Sequence, residues 1–189
     1  MSHTYNDFSL NAANDITASI LAASGASRFV PSYDLSFEQL AALLEFVPPA
    51  MTEIVIHQRM PLFHTEHCLP AARLSRAHRK SECGQQCQRH RLRLRDRLGE
   101  ELPVATDFAC RNTVYSSAVQ SAARQVPQLV KLGVRTFRVE LLDESPEQAA
   151  RLMALYQELL AGRITPAQVE RQAADALGCR VTAGTFDQE

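Results

Sequence analysis

Four cysteines, Cys68, Cys83, Cys87 and Cys110, interrupt an otherwise regular alternation of strand-like and helix-like runs. Before them, residues 7–14 read as a strand leading into a loop. Residues 15–24 read as a helix stopped by Gly25. Residues 28–30 make a short strand closed by Pro31. Residues 36–46 carry apolar groups at helical spacing behind Ser36, a candidate N-cap, and Pro48-Pro49 ends that helix. Residues 53–57 (Glu-Ile-Val-Ile-His) read as a buried strand. Strand, helix, strand, helix, strand is the rhythm of a parallel sheet.

The rhythm breaks after Pro61. Residues 61–88 are rich in Cys, His and Arg. Leu92, Leu94 and Leu98 then interleave with arginines, the alternation of a half-buried strand. Residues 96–100, with Gly99, supply a turn, and residues 102–108 supply a returning arm. A hairpin that leaves just after Cys87 and returns just before Cys110 brings those two cysteines together. The rhythm then resumes. Residues 118–132 read as a helix stopped by Gly133, and residues 136–142 as a strand. Ser145-Pro146 and Thr165-Pro166 each open a helix, closed by Gly162 and Gly178. Four strands with their helices amount to about half of a (β/α)8 barrel. The expected fold class is α/β, a partial (β/α) TIM-like barrel with an inserted cysteine-rich β-hairpin region. Its stretches are 1–60 (βα units), 61–117 (the metal-binding insertion) and 118–189 (a closing βα unit and C-terminal helices).

Thiolates are soft ligands that favour an iron–sulfur cluster or zinc. Cys83 and Cys87, four apart with Gly84 between, can bend around one cluster. With zinc, His64 or His67 could take the place of one sulfur. The plainer reading treats each cysteine as a small buried hydrophobe, and Cys179, beyond a helix stop, is read that way. The start of the chain lacks a basic stretch followed by an apolar run, and no segment reaches the roughly 20 apolar residues of a membrane span. The expectation is therefore a cytoplasmic chain, without a disulfide framework among its 5 cysteines.

With a net charge of -1, attraction to nucleic acid must come from a local patch. Arg73, Arg76, Arg79, Lys80, Arg89, Arg91, Arg93, Arg95 and Arg97 form a basic strip opposed only by Glu82 and Asp96. Arg89, Arg91, Arg93 and Arg95 are the candidate RNA contacts. The alternative is a solvated hairpin face, and the few aromatics nearby count against base stacking. His57, His64, Glu66 and His67 are weak acid–base candidates near strand ends. His57 is equally a satisfied strand-end histidine, and Glu66 and His67 flank a proposed ligand. No Gly-x-Ser-x-Gly elbow or His-Glu-x-x-His helix is present, and nothing marks Ser116 or Ser117 as a nucleophile.

Several motifs resemble one known family. They are Met60-Pro61-Leu62-Phe63-His64-Thr65-Glu66-His67-Cys68, Cys83-Gly84-Gln85-Gln86-Cys87 and Leu94-Arg95-Asp96-Arg97-Leu98-Gly99 with Pro103-Val104 and Asp107. Cys110-Arg111-Asn112-Thr113-Val114-Tyr115, Pro31-Ser32-Tyr33-Asp34 and Arg138-Val139-Glu140 complete the set. Over roughly residues 6–163 the chain resembles the collagenase-like peptidase family, the U-thirty-two group. The resemblance implies a (β/α) barrel and a four-iron cluster (4Fe-4S) on Cys68, Cys83, Cys87 and Cys110. It further implies a part in oxygen-independent hydroxylation of RNA bases or of the ubiquinone ring, the peptidase name being older. The substrate expected is RNA or a small aromatic molecule. Members of the family usually carry a longer N-terminal segment that completes the barrel. This chain starts near the middle of that pattern, which implies a fragment, a split-gene subunit or a protein partner supplying the other half.

Overall fold

The computed structural model describes residues 4–76 and 79–187 of the chain. These form two compact units, one from the residues up to Gln58 and from Gln120 onward, the other from Arg59–Val119.

The first unit opens with β1 (Thr4–Asn6), upstream of the strand expected at 7–14. Those residues instead make a 3-10 turn at Phe8–Leu10, because Asp7 accepts a hydrogen bond from the Phe8 amide and closes a tight turn. Asn14 caps α1 (Asp15–Ala23) by accepting from the Thr17 amide, and Gly25, at φ +91, ends it. β2 (Ala26–Phe29) pairs in parallel with β1. Ser36 and Gln39 form the capping box of α2 (Phe37–Phe46). β3 (Ile54–Gln58) is buried at every position, including its polar end, His57 and Gln58.

The second unit contains β4 (Pro61–Thr65), the short helices α3 (Leu69–Leu74) and α4 (Gln86–Arg89), and the strands β5 (Leu92–Arg95), β6 (Glu101–Thr106) and β7 (Asn112–Tyr115). The strands form an antiparallel sheet in the order β4-β7-β6-β5. The expected hairpin is β5–β6. Its turn is held by Asp96 Oδ1, which accepts from the amides of Leu98 (2.8 Å) and Glu100 (2.9 Å). Pairing Leu92 with Val104 and Leu94 with Leu102 puts the leucines on one face and Arg93 and Arg95 on the other.

The chain then returns to the first unit. The helix expected over 118–132 starts later. β8 (Val119–Ser121) is a strand, antiparallel to β3, and only α5 (Val126–Lys131) is helical. Pro127 suits a first helical turn and not an interior. β9 (Phe137–Val139) lies parallel to β3 on its other side. α6 (Pro146–Leu160) and α7 (Pro166–Leu177) start at capping boxes built on Ser145 with Gln148 and Thr165 with Gln168. β10 (Val181–Thr182) completes the sheet order β10-β8-β3-β9, and Gly184–Asp187 forms a closing 3-10 turn.

The fold class is mixed α/β. The described strands close no barrel: β1–β2 and β3–β9 are parallel, a single parallel bridge joins Phe29 to Thr52, and β8 runs the opposite way. Antiparallel β8 occupies the side of β3 where a barrel would place a parallel neighbour. Among the described residues, no helix is long and apolar enough to cross a membrane.

The hydrophobic core belongs to the first unit, where Phe29, Leu43, Ile54, Ile56, Leu129, Leu152, Tyr156 and Val169 pack together. Each large side chain buried there contributes about 1.5–3 kcal/mol. An ionic network adds to it. Arg138 bonds Glu53, Asp7 and Glu140, and Tyr33 Oη donates to Glu140 at 2.9 Å while its ring stacks on Phe8. Burial and the neighbouring Glu140 carboxylate raise the Tyr33 pKa, so the phenol keeps its proton. The second unit is poorer. Among its described residues, the buried aliphatic side chains are Val114, Ala118 and Val119, with the prolines Pro70 and Pro103. A unit of about 60 residues with so small a core needs another source of stability.

Candidate metal centre

Cys68, Cys83, Cys87 and Cys110 line one cavity of about 470 Å³ within the second unit. Each is partly exposed and none is in a disulfide. Three backbone devices deliver them there. Cys68 stands at the N-cap position of α3, where Pro70 favours the first helical turn and no side-chain cap engages the sulfur. Gly84 (φ +64) and Gln85 (φ +52) are both left-handed, so the chain reverses directly after Cys83 and enters α4, which carries Cys87. Cys110 is also left-handed, at φ +66.

A left-handed backbone costs a residue other than glycine roughly 1–2 kcal/mol. Gln85, Cys110 and Asn11 are the described non-glycine residues that bear it, and two of the three lie at the cysteines. Strain of this kind concentrates where a site demands a particular geometry. The Cys110 loop is tied by Asp107. Its carboxylate accepts from the Arg111 amide and from Arg111 Nε, at 2.9 and 2.8 Å, and the Cys110 amide donates to the Asp107 carbonyl.

Asn112 is the residue that the sequence did not single out. It is fully buried. Its Nδ2 donates to the His67 carbonyl at 2.8 Å and to the Cys110 carbonyl at 3.3 Å, and its Oδ1 accepts from Thr106 at 2.9 Å. One side chain thus ties the segment before Cys68 to the loop of Cys110. The sequence carried it only as one letter of the Cys110–Tyr115 motif.

The other candidates lie elsewhere. His57 belongs to the first unit, where it is buried with Nδ1 3.1 Å from Tyr156 Oη; that hydroxyl also meets Ser121 Oγ at 2.7 Å. His57 is thus tied into the core through a buried pair of hydroxyls. His64 is exposed on β4, with Nδ1 2.8 Å from Thr113 Oγ1. Glu66 and His67 are exposed, and neither lines the cavity. Among the described residues, no three His, Cys, Asp or Glu side chains stand close enough to hold a single metal ion. Cys179 is in the first unit and half-buried.

Arg89 lines the cavity. Arg91, Arg93 and Arg95 follow it, all exposed, and Arg95 pairs with Glu101 at 2.7 Å. The side chain of Lys80 lies outside the described residues.

The ordered cysteines, the Pro31–Asp34 turn and the Arg138–Glu140 strand all fall inside a match to the profile of Peptidase family U32, which covers residues 7–184. The chain belongs to peptidase family U32. No curated protein and no solved structure matches it. Within this U32 chain, the motifs that carried the resemblance gather at two places. Tyr33, Arg138 and Glu140 join in the ionic network of the first unit, and the cysteine motifs gather around the cavity of the second.

Proposed function

We propose that this U32 chain is an iron–sulfur protein acting in oxygen-independent hydroxylation of an RNA base or a quinone ring. Cys68, Cys83, Cys87 and Cys110 hold a 4Fe-4S cluster, and the chain's parallel strands form part of a barrel. The observation that carries this reading is that four thiols, from three separate stretches of the chain, line one cavity. The donor set fits the group: four soft sulfurs suit iron–sulfur ligation. The space fits as well. A single tetrahedral zinc would draw the sulfurs to about 3.8 Å of one another, from a Zn–S bond of ~2.3 Å, whereas about 470 Å³ leaves room for a polynuclear body.

When bound, such a cluster supplies one-electron chemistry at sulfur-ligated iron. The chain's own part is to hold and shape the site. Arg89 brings a positive charge to the wall. Asn112 fixes two of the ligand loops, and Arg91, Arg93 and Arg95 offer positive charge beyond the rim for a phosphate backbone. Anaerobic purification should give a visible charge-transfer band with iron and sulfide in cluster ratio. Cys83→Ala and Cys110→Ala should each abolish it. Loss of a hydroxylated nucleoside or quinone from cells lacking the gene would identify the substrate. Colourless protein without iron after anaerobic reconstitution would end this reading.

A second reading is a metal-stabilised interaction module, with zinc as the metal. The small core of the second unit favours it, since metal ligation supplies folding free energy that burial does not. A protein partner would complete the open sheet beside β1. Stoichiometric zinc together with co-purification of such a partner would select it. The collagenase-like protease that the resemblance offers as an alternative would need an activated nucleophile. Among the described residues, Thr113 Oγ1 stands beside His64 Nδ1, and casein cleavage lost in Thr113→Val would support that reading.

A further inference from the structure

Gln58, at the end of β3, and Gln120, in β8, face each other across the antiparallel pair. Directly opposed residues leave a sheet on the same face, with their Cβ atoms about 5 Å apart. Both side chains are nine-tenths buried or more, at 2% and 4% exposure. The Oε1 atom of each is buried and has no hydrogen-bond partner. Both line one small cavity at the ends of β2 and β3, with Tyr33, Leu40, Val55 and Phe186. Its volume is about 20 Å³, room for one group the size of a water molecule.

The orientation of the Gln120 amide follows from its neighbours. Thr185 Oγ1 donates its proton to the Tyr33 carbonyl at 3.0 Å, so it can only accept from Gln120 Nε2, at 3.2 Å. The oxygen is therefore the unpartnered end. Gly184 closes over it, and a Cβ at that position would lie 2.5 Å from Oε1. The Gly184–Asp187 turn thus lies over Gln120 as a strap of bare backbone and contributes Phe186 to the cavity wall.

Buried acceptors in folded proteins find donors. Two of them on one cross-strand pair, beside a cavity, call for a donor from outside the chain. A cation is unsuitable, because no acidic residue lines the cavity and its charge would be stripped of water without compensation. A hydroxyl has one proton for two acceptors. A terminal –NH2 has two, diverging in a plane. We propose that Gln58 and Gln120 form a binding site for the –NH2 end of a neutral primary carboxamide. The cavity takes the head group, and the body of the ligand occupies the place of Phe186 once the strap lifts. A water molecule fills the site otherwise. The site lies in the first unit and is independent of the cysteines.

The test is titration of the full-length, ¹⁵N-labelled protein with acetamide, N,N-dimethylacetamide and acetate, followed through the glutamine side-chain amides. Acetamide should shift the Gln58 and Gln120 signals. Dimethylacetamide, lacking N–H, and acetate should bind at least about tenfold more weakly, the cost of an unmade buried hydrogen bond. The near-isosteric Gln58→Met should abolish the response while melting no lower than the parent, since it removes an unpartnered acceptor; Gln120→Leu should abolish it too, with the loss of the bond to Thr185. The proposal is overturned if acetamide moves neither signal, leaving a captive water only. An equal response to dimethylacetamide, or a response surviving in a folded Gln58→Met protein, overturns it as well.

Discussion

Replacing Asn112 by alanine should loosen the cysteine cavity without touching a cysteine. The side chain makes three hydrogen bonds from a fully buried position: to the carbonyls of His67 (2.8 Å) and Cys110 (3.3 Å), and from Thr106 Oγ1 (2.9 Å). Each neutral bond is worth about 1 kcal/mol net, and a partner left buried and unpaired costs about 1–3 kcal/mol. The 3.3 Å contact is the weakest, so the expected total is about 2–4 kcal/mol, a large share of what a small unit possesses. The assay is urea unfolding of the metal-free protein, with hydrogen exchange at the amides around Cys68 and Cys110. Exchange should accelerate at both loops together, because one side chain joins them. On the iron–sulfur reading proposed above, the reconstituted variant should also lose iron faster than the parent. Asn112→Asp separates bonding from size: it keeps the acceptor for Thr106 but faces two carbonyls with a carboxylate, and should do no better than alanine. An Asn112→Ala protein with the parent's stability, exchange rates and iron retention would refute the argument.

Three further outcomes are expected. Tyr156→Phe removes the bonds to Ser121 and His57 at 2.7 and 3.1 Å and should cost about 1–3 kcal/mol, read as a drop of roughly 2–4 °C in melting temperature per kcal/mol. Ser145→Ala breaks the capping box of α6 and should cost about 1 kcal/mol in a denaturant melt. The hydrogen bond from Arg95, with its charge, holds the Glu101 carboxyl below its ordinary value. A lowered folded-state value stabilises above the ordinary carboxylate range and is lost as pH falls through it; Glu101→Gln should flatten that part of the acid unfolding curve.

How much of this was legible depended on whether the signal was local. Helix starts were, since Ser36, Ser145 and Thr165 cap through residues three positions away. The β5–β6 hairpin was too, its alternation and Gly99 turn lying in one short stretch. β4 and β7 were not: neither alternates clearly, and each is a strand because the other is beside it. β8 sits among alanines that read as helix, and its pairing with β3 overrides that propensity. At the cysteine cavity, spacing and the hairpin foretold that Cys87 and Cys110 would approach. The left-handed turns at Gln85 and Cys110 had no cue, because neither residue type is selected for that conformation. Asn112 was visible as a letter but not as a buried tie, since burial of a polar group is a tertiary property.

Because Gln58 and Gln120 are cross-strand neighbours, the whole second unit is, topologically, the loop of one hairpin. Closing a loop of about 60 residues in place of a two-residue turn adds roughly 3 kcal/mol of chain entropy at about 0.6 kcal/mol per doubling. On the ribosome, β3 has to wait for that entire stretch to emerge before β8 exists, several seconds at about 5–20 residues per second. Cys68, Cys83, Cys87 and Cys110 are all translated within that interval, so the four thiols of the cavity are present while the apolar centre of the molecule is still open. Assembly of the chain is thereby ordered in time: the cysteine-bearing stretch first, the interior last.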